Sequence, residues 1–214
     1  CFVILSNVLA LALAVCLVKK FKLANVFRGF FFIPYIMSMT IVGFIWKFIF
    51  TKGFETLYDL TGFEFWNYSW LGEPGLAFWS VVIVGVWQSL GFYIVLYIAG
   101  LQAVPADVLE AAVVDGANSW QKFFKVTLPL LGPSFTTCIF MSLTNALKVF
   151  DIILALTKGG PGTSTYSVTM KIYTEAFTDN NYGMGSAEAI VYFIVVLLIT
   201  QLTLKLMSKK EVDI

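Results

Sequence analysis

Histidine is absent from this chain of 214 residues, and only three cysteines occur, Cys1, Cys16 and Cys138. All three lie inside or at the edge of apolar runs, where a thiol usually serves as a small hydrophobe. Nothing supports a metal cluster, a Cys–His nucleophile or a disulfide framework. Charge is scarce as well: Asp, Glu, Lys and Arg make up 13% of the chain, against about a quarter in a soluble domain. The net charge of +1 leaves no nucleic-acid footprint. No G-x-x-x-x-G-K-[ST] string occurs, so the chain cannot hold ATP through a P-loop. No carboxylate pair is placed for acid–base work in a sealed cleft, and the chain reads as non-enzymatic on its own. The first apolar run has no basic stretch before it and no small-residue cleavage pattern after it. It is not a signal peptide. Internal repeats and low-complexity tracts are also missing.

What is present is apolar, 59% of the residues. The apolar residues collect in five runs, 2–18, 29–50, 75–99, 134–156 and 187–207, each near the length that a bilayer core demands. Pro34 and Gly43 interrupt the second, as membrane helices tolerate. The expected fold is therefore all-α, a polytopic membrane helix bundle with five spans in one domain covering 1–214. The chain opens at Cys1 in apolar sequence without an initiator Met, which reads as a missing N-terminal part holding a sixth span. Lys and Arg are unevenly placed: segments 19–28, 101–133 and 205–214 carry nine, while 51–74 and 158–186 carry three. The positive-inside rule puts the first three segments in the cytoplasm and the other two outside. Phe63, Phe65, Trp66, Tyr68 and Trp70 in segment 51–74 read as an interfacial aromatic belt.

Segment 102–133, QAVPADVLEAAVVDGANSWQKFFKVTLPLLGP, is the longest polar-containing interruption. It reads as two short helices around a glycine. Pro105 suits the first position of a helix, with Asp107 in the first turn beside the positive end of the dipole. Val108, Ala112 and Val113 offer a narrow apolar face. Gly116 sits where a helix end wants a left-handed residue. Asn118 with Gln121 forms a capping box opening the second helix, whose apolar residues are Trp120, Phe123, Phe124 and Val126. Leu128-Pro129 is expected to end it. On spacing alone this is either a surface hairpin covering the membrane face or a docking element.

The string Glu110-Ala111-Ala112, Asp115-Gly116-Ala117, Phe124 and Leu128-Pro129 resembles the EAA loop of the membrane subunits of binding-protein-dependent ABC importers. That resemblance implies a cytoplasmic coupling loop at 102–133, seated on a separate ATP-hydrolysing subunit through Glu110, Ala111, Ala112, Asp115, Gly116, Ala117, Phe124 and Pro129. A second resemblance lies in Leu156-Thr157-Lys158-Gly159-Gly160-Pro161, with Ser164-Thr165, Tyr173 and Ala176-Phe177 beyond it. Together with the 123–131 run and Phe30 to Pro34, it is similar to carbohydrate-uptake members of the type represented by the larger permease of the maltose transporter. Physically, Gly159-Gly160-Pro161-Gly162 is a turn releasing the chain from the membrane. The resemblance implies a second permease subunit, two ATP-binding subunits holding ATP-Mg, an extracytoplasmic binding protein and a sugar substrate. It implies no cofactor in this chain, and a prokaryotic plasma membrane as its place.

Polar residues inside the spans are costly and mark candidate pathway positions. Asn145, Lys148 and Asp151 recur every third residue on the fourth span, on one helical face. Counted from Ser134, Asn145 lies about 16 Å in, near mid-membrane, at about 1.5 Å per residue. Lys148 is expected to pair with Asp151. Gln88 and Ser89, with Trp87 and Phe92 beside them, offer the amide, hydroxyl and aromatic mix that sugars use, and Ser38 on the second span joins them. An ion-coupled secondary transporter using Lys148 and Asp151 is the alternative. Tyr166, 168–170, Tyr173 and 176–177 fall at helical spacing, suggesting a helix on the outer face that serves packing or touches the substrate-delivering protein.

Overall fold

The structure, a computed structural model, describes residues 1–18 and 23–208. Lys19, Lys20, Lys22, Lys209 and Lys210, five of the nine cations behind the expected orientation, lie outside the described residues. The chain is all-α. In order come α1 (Phe2–Leu17), α2 (Ala24–Ile36), α3 (Met39–Phe48), a π turn (Ile49–Gly53), α4 (Phe54–Thr61) and α5 (Pro74–Ala103). Then follow α6 (Ala106–Val114), α7 (Ser119–Lys122), a π turn (Phe123–Thr127), α8 (Leu128–Leu130) and α9 (Gly132–Leu147). The last are α10 (Asp151–Leu156), α11 (Val168–Tyr173), a π turn (Thr174–Thr178) and α12 (Tyr182–Ser208).

Among the described residues two unbroken helices are long and apolar enough to cross a membrane, Pro74–Ala103 and Tyr182–Met207. They occupy opposite positions in the bundle: 61% of the apolar window of α5 is buried, against 6% for α12. α5 is the mast and α12 the outer wall. Around α5 pack α1, α2 and α9, in a core of Ala10 and Ala14 of α1, Tyr93, Tyr97 and Ile98 of α5 and Cys138 of α9, with Phe31 of α2 against it. Small residues permit the approach, as membrane helix interfaces require. Any Cβ on Gly91 would run into the Phe31 carbonyl, and one on Gly43 would press on Ala155 of α10. A second core joins Val42, Phe50, Trp70, Val84, Ile152 and Leu156.

Two of the expected spans are not continuous helices. The 29–50 run is cut at 37–38, where α2 and the helix Met39–Thr61 meet at 98°. Pro34 removes a backbone donor inside the last turn of α2, and Met37 is extended at φ −73°, ψ 143°. The 134–156 run is likewise cut. α9 stops at Leu147; Lys148 still donates its N–H to Thr144 O but turns to φ −94°, ψ 9°, and Phe150 takes φ −142°, ψ −60° before α10 begins. Both breaks free carbonyls that lipid cannot satisfy, and side chains from other elements take them up. The Gln88 amide donates to Tyr35 O and Met37 O, each at 3.4 Å. The Tyr192 hydroxyl donates to Leu147 O, while Ser167 (2.9 Å) and Thr169 donate to Val149 O. Polar side chains stitch each break.

A buried network ties three helices together. The Asn7 amide of α1 donates to Val3 O (2.7 Å) and to the Ser142 hydroxyl of α9 (2.8 Å), and it accepts from the Tyr97 hydroxyl of α5 (2.7 Å). Asn7 was not singled out in the sequence, where it is one amide in an apolar run. The α11 end is fixed differently: Lys171 and Glu188 of α12 form an ion pair at 2.7 Å, and that carboxylate, as hydrogen-bond acceptor and as charge, raises the Lys171 pKa. Phe50, Phe54, Phe65, Trp66 and Trp70 collapse into one aromatic cluster with centroids 4.9 to 5.5 Å apart.

Replacing Asn7 by Leu takes the acceptor from the buried Tyr97 hydroxyl and removes the bond between α1 and Ser142 of α9. The expected outcome is a loss of about 1–2 kcal/mol of helix association, read as a lowered unfolding temperature in detergent. Val8→Leu, on an exposed position one residue on, should leave that temperature unchanged.

Candidate functional site

Two features stand at opposite ends of α9. At its start is the hairpin 102–133. Pro105 precedes α6 in extended conformation, one place before the expected first turn, and Asp107 lies in that turn. α6 closes on Gly116 at φ +79°. The Gly116 N–H bonds Val113 O and the Ala117 N–H bonds Ala112 O, both at 3.0 Å. A side chain at Gly116 meets open space but would sit in a left-handed conformation that only glycine adopts freely. The expected capping box is present: Gln121 N–H donates to the Asn118 side chain at 2.8 Å, and Asn118 N–H to the Gln121 side chain at 2.9 Å.

Proline does not end the second helix at Leu128 as expected. The π turn Phe123–Thr127 lets the Leu128 N–H reach back to Phe123 O, so the donor missing at Pro129 falls where the ladder changes register. Helix persists to Leu130, and the path bends by 67° into α9. The apolar face expected at Val108, Ala112 and Val113 is only buried at Ala112. Val113 (55%), Val114 (86%), Trp120 (73%) and Phe124 (50%) are exposed, and the last two rings stack at 5.4 Å, 3° from parallel. Glu110, Ala111, Asp115, Gly116 and Pro129 are exposed too, with Ala117 half-buried. The hairpin thus presents an aromatic and aliphatic ridge flanked by carboxylates. Val114 and Trp120 extend the set expected from the sequence.

At the far end of α9 lies a cavity of about 640 Å³. Gln88 and Ser89 from α5, Asn145 from α9 and Lys148 and Asp151 from the break all line it, so five of the eight expected pathway residues meet there. Ser38, Trp87 and Phe92 stand outside the lining. Ser38 sits in the extended link before α3; Trp87 turns its edge to Trp46 at 5.4 Å; Phe92 stacks at 4.8 Å behind Tyr35, which itself lines the cavity. The aromatic walls are instead Phe2, Tyr35, Phe78, Phe150 and Tyr166. Sequence reasoning does not place these in the wall, and assigns Tyr166 to an outer-face helix, because they come from five separate parts of the chain: α1, α2, α5, the 148–150 link and the loop before α11.

The amides are partly committed. Gln88 spends its donors on the α2 break, Ser89 bonds Gly85 O of its own helix at 2.8 Å, and the Asn145 amide donates to the Tyr93 hydroxyl at 3.2 Å. Their remaining donor and acceptor positions are what a ligand could use. The Lys148–Asp151 pair does not form. Among the described residues the ion pairs are Lys52–Glu55 and Lys171–Glu188. Three-residue spacing brings side chains together only on a continuous helix, and the helix is broken between these two. Both charges are left to face the cavity. No group of His, Cys, Asp and Glu that could hold a metal occurs among the described residues.

Residues 6–211 match the family described as the binding-protein-dependent transport system inner membrane component. The chain belongs to that family. Its similarity to individual members covers nearly its whole length. It is 40% identical over 211 residues to the probable starch degradation products transport system permease protein AmyD of Thermoanaerobacterium thermosulfurigenes, spanning 99% of this chain and 72% of that one. It is 36% identical over 204 residues to the trehalose/maltose transport system permease protein MalF of Thermococcus litoralis, covering 94% and 68%. In fold it resembles a chain of a bacterial ABC transporter involved in the import of the acidic polysaccharide alginate, with a TM-score of 0.81 at 20% identity over 94% of this chain and 72% of that one. Membership in a binding-protein-dependent family weighs against the ion-coupled alternative.

Because Lys148 and Asp151 do not pair, their substitutions should act independently. In a double-mutant cycle of Lys148→Met and Asp151→Asn, read by unfolding in detergent, the coupling energy is expected within about 0.5 kcal/mol of zero. A paired Lys148 and Asp151 would instead give a large coupling, with the double variant recovering what either single variant loses.

Proposed function

We propose that this permease is one of two membrane subunits of an ATP-driven importer and forms the pathway for a sugar or oligosaccharide. The observation that carries this reading is the cavity at one end of α9 joined, through that helix, to the exposed hairpin at the other. The hairpin is the coupling element. Its Val113, Val114, Trp120 and Phe124 ridge, flanked by Glu110 and Asp115, fits the cleft of an ATPase subunit, since exposed apolar patches of this kind mark interaction surfaces. The chain itself carries no P-loop, so ATP-Mg binding and hydrolysis belong to the ATPase partners and this subunit is non-catalytic, without a cofactor of its own. An extracytoplasmic binding protein delivers substrate from the side opposite the hairpin. Sugar as the substrate is supported by the amide, hydroxyl and aromatic lining, and by relatives named for the transport of starch degradation products and trehalose/maltose. A lining of few placed polar groups among aromatic walls suits a ligand with an apolar ring face and a polar rim.

The mechanism follows from rigid-body motion. ATP binding closes the ATPase dimer, the hairpin moves with it, and α9 carries the displacement to the break at 148–150. The cavity then changes its open side, and the substrate passes.

The test is uptake into vesicles by the complete complex: this chain, a second permease, the ATPase pair and the binding protein, with maltotriose, cellotriose and raffinose as probes. Uptake of at least one should require ATP and the binding protein and survive ionophores. Uptake that collapses with the ion gradient but not with ATP depletion contradicts the reading. In the same assay, Gly116→Val strains its left-handed position by roughly 1 kcal/mol or more and tilts the docking ridge. It is expected to weaken assembly with the ATPase, or to leave ATP hydrolysis without uptake.

Orientation is tested separately. A cysteine at Asn118 should be labelled from the cytoplasmic side alone, and one at Thr61 from the outside alone. The reverse pattern would overturn the placement of the hairpin.

A further inference from the structure

The turn 157–166 does more than release the chain from the membrane. Thr157 and Thr165 share a hydroxyl–hydroxyl bond of 2.7 Å, the Thr165 hydroxyl bonds Gly160 O at 2.9 Å, and the Gly159 N–H bonds the Thr157 hydroxyl at 3.3 Å. The Thr165 N–H bonds Gly159 O at 3.3 Å, closing the loop on itself. A loop so cross-linked is a fixed support. It folds back so that residues 164–167 line the same cavity as Gln88, Asn145, Lys148 and Asp151.

Within it, Tyr166 is held at both ends. Its hydroxyl bonds the Thr174 hydroxyl at 2.6 Å, and its backbone N–H bonds Thr163 O at 3.1 Å. Its Cδ2–Cε2 edge lies against Gly159, where any Cβ would collide with the ring. Gly159 also stands at φ +89°, so two requirements, conformation and close approach, converge on glycine there. Tyr166 nonetheless remains 37% exposed, and it forms part of the cavity wall. An aromatic side chain whose position is set by three separate contacts, and which lines the cavity, is preorganised to receive a ligand.

We propose that Tyr166 is a specificity-determining residue of this permease, an aromatic platform on which the incoming sugar ring stacks at the end of the cavity away from the hairpin. The proposal rests on the reading of the cavity as a sugar pathway and assigns to Tyr166 the stacking role that Trp87 and Phe92, outside the lining, do not fill. The C–H face of a pyranose is apolar while its hydroxyls point outward around the rim. A flat ring covers that face, and Lys148 and Asp151, both without an ion-pair partner among the described residues, are left for the rim hydroxyls. Gly159 and Thr174 act as positioning residues.

The experiment uses the complete reconstituted complex, checked for assembly by gel filtration, with uptake of whichever of maltotriose, cellotriose and raffinose the wild type imports. Rates are measured at saturating liganded binding protein, so that the affinity of the binding protein drops out. Tyr166→Leu, apolar but not flat, should lower maximal uptake at least tenfold, and Tyr166→Phe should stay within threefold of wild type. Equal rates for the Leu and Phe variants overturn the proposal while leaving the sugar reading intact. Import of none of the three sugars by wild type overturns both. Should the Leu variant fail to assemble, Tyr166→Cys supplies a second readout: liganded binding protein should slow its alkylation at least fivefold relative to unliganded binding protein, and equal rates overturn the proposal.

Discussion

The bilayer's refusal to solvate backbone is the constraint on which this structure turns. A helix that stays intact satisfies itself, and α5 and α12 do so over their full length. α2–α3 and α9–α10 do not, and each break sets carbonyls loose where no water of the lipid phase can reach them. The price is met by side chains from elsewhere: Gln88 at the first break, Tyr192, Ser167 and Thr169 at the second. These residues are not decoration on a bundle that would exist anyway. They decide that the chain turns at 37–38 and 148–150, and the cavity is the space that those turns leave beside α5.

The same economy explains where the polar groups of the spans go. Asn7 reads as an oddity in an apolar run, yet it bridges α1, α5 and α9 in one buried network with Tyr97 and Ser142. Interhelical hydrogen bonds of this sort count for more in defining which helices meet than in raw stability, since each is worth about 1 kcal/mol. Glycine supplies the complementary term. Gly91 lets the backbone of α2 touch α5 at Phe31, and a helix brought that close places its broken end within reach of Gln88. Packing and polar stitching thus require each other.

Local grammar was legible in the sequence, and long-range pairing was not. The capping box at Asn118 and Gln121, the left-handed Gly116 and the two-helix form of 102–133 depend on residues within a few positions of one another, so their spacing reveals them. The five apolar runs were equally plain. The breaks were not, because the segments at Pro34 and 148–150 only become turns when side chains on α5, at the start of α11 and on α12 donate to the freed carbonyls. Reading Asn145, Lys148 and Asp151 as one helical face failed for that reason: a three-residue period carries meaning only while the helix continues. Five of the expected pathway residues nonetheless share one cavity, since polar atoms avoid lipid and collect wherever the bundle leaves room. The aromatic wall was not legible because Tyr35, Phe150 and Tyr166 come from different elements: the first two carry no signal of their own in apolar sequence, and Tyr166 reads with an outer-face helix that the structure starts only at Val168.

Continuity between the two ends of α9 gives the fold its mechanical sense. Sixteen residues of helix make a strut of about 24 Å, stiff on that scale. It starts at the 67° bend below the hairpin and ends one residue before Lys148. Tyr192 of α12 holds the last carbonyl of the strut, and Asn7 of α1 holds its middle through Ser142, so α9 cannot shift alone; its neighbours must follow or the bonds must exchange. A displacement handed to α9 at its hairpin end therefore arrives at the cavity as a change in the angle of the break, where the helical ladder is already open. The break is compliant because its carbonyls are held by side chains, which can rotate, and not by a helical ladder, which cannot. Stiff strut and soft joint are both consequences of where the backbone bonds go, and together they make a single chain able to relate an event at one end of the bundle to the shape of a cavity at the other.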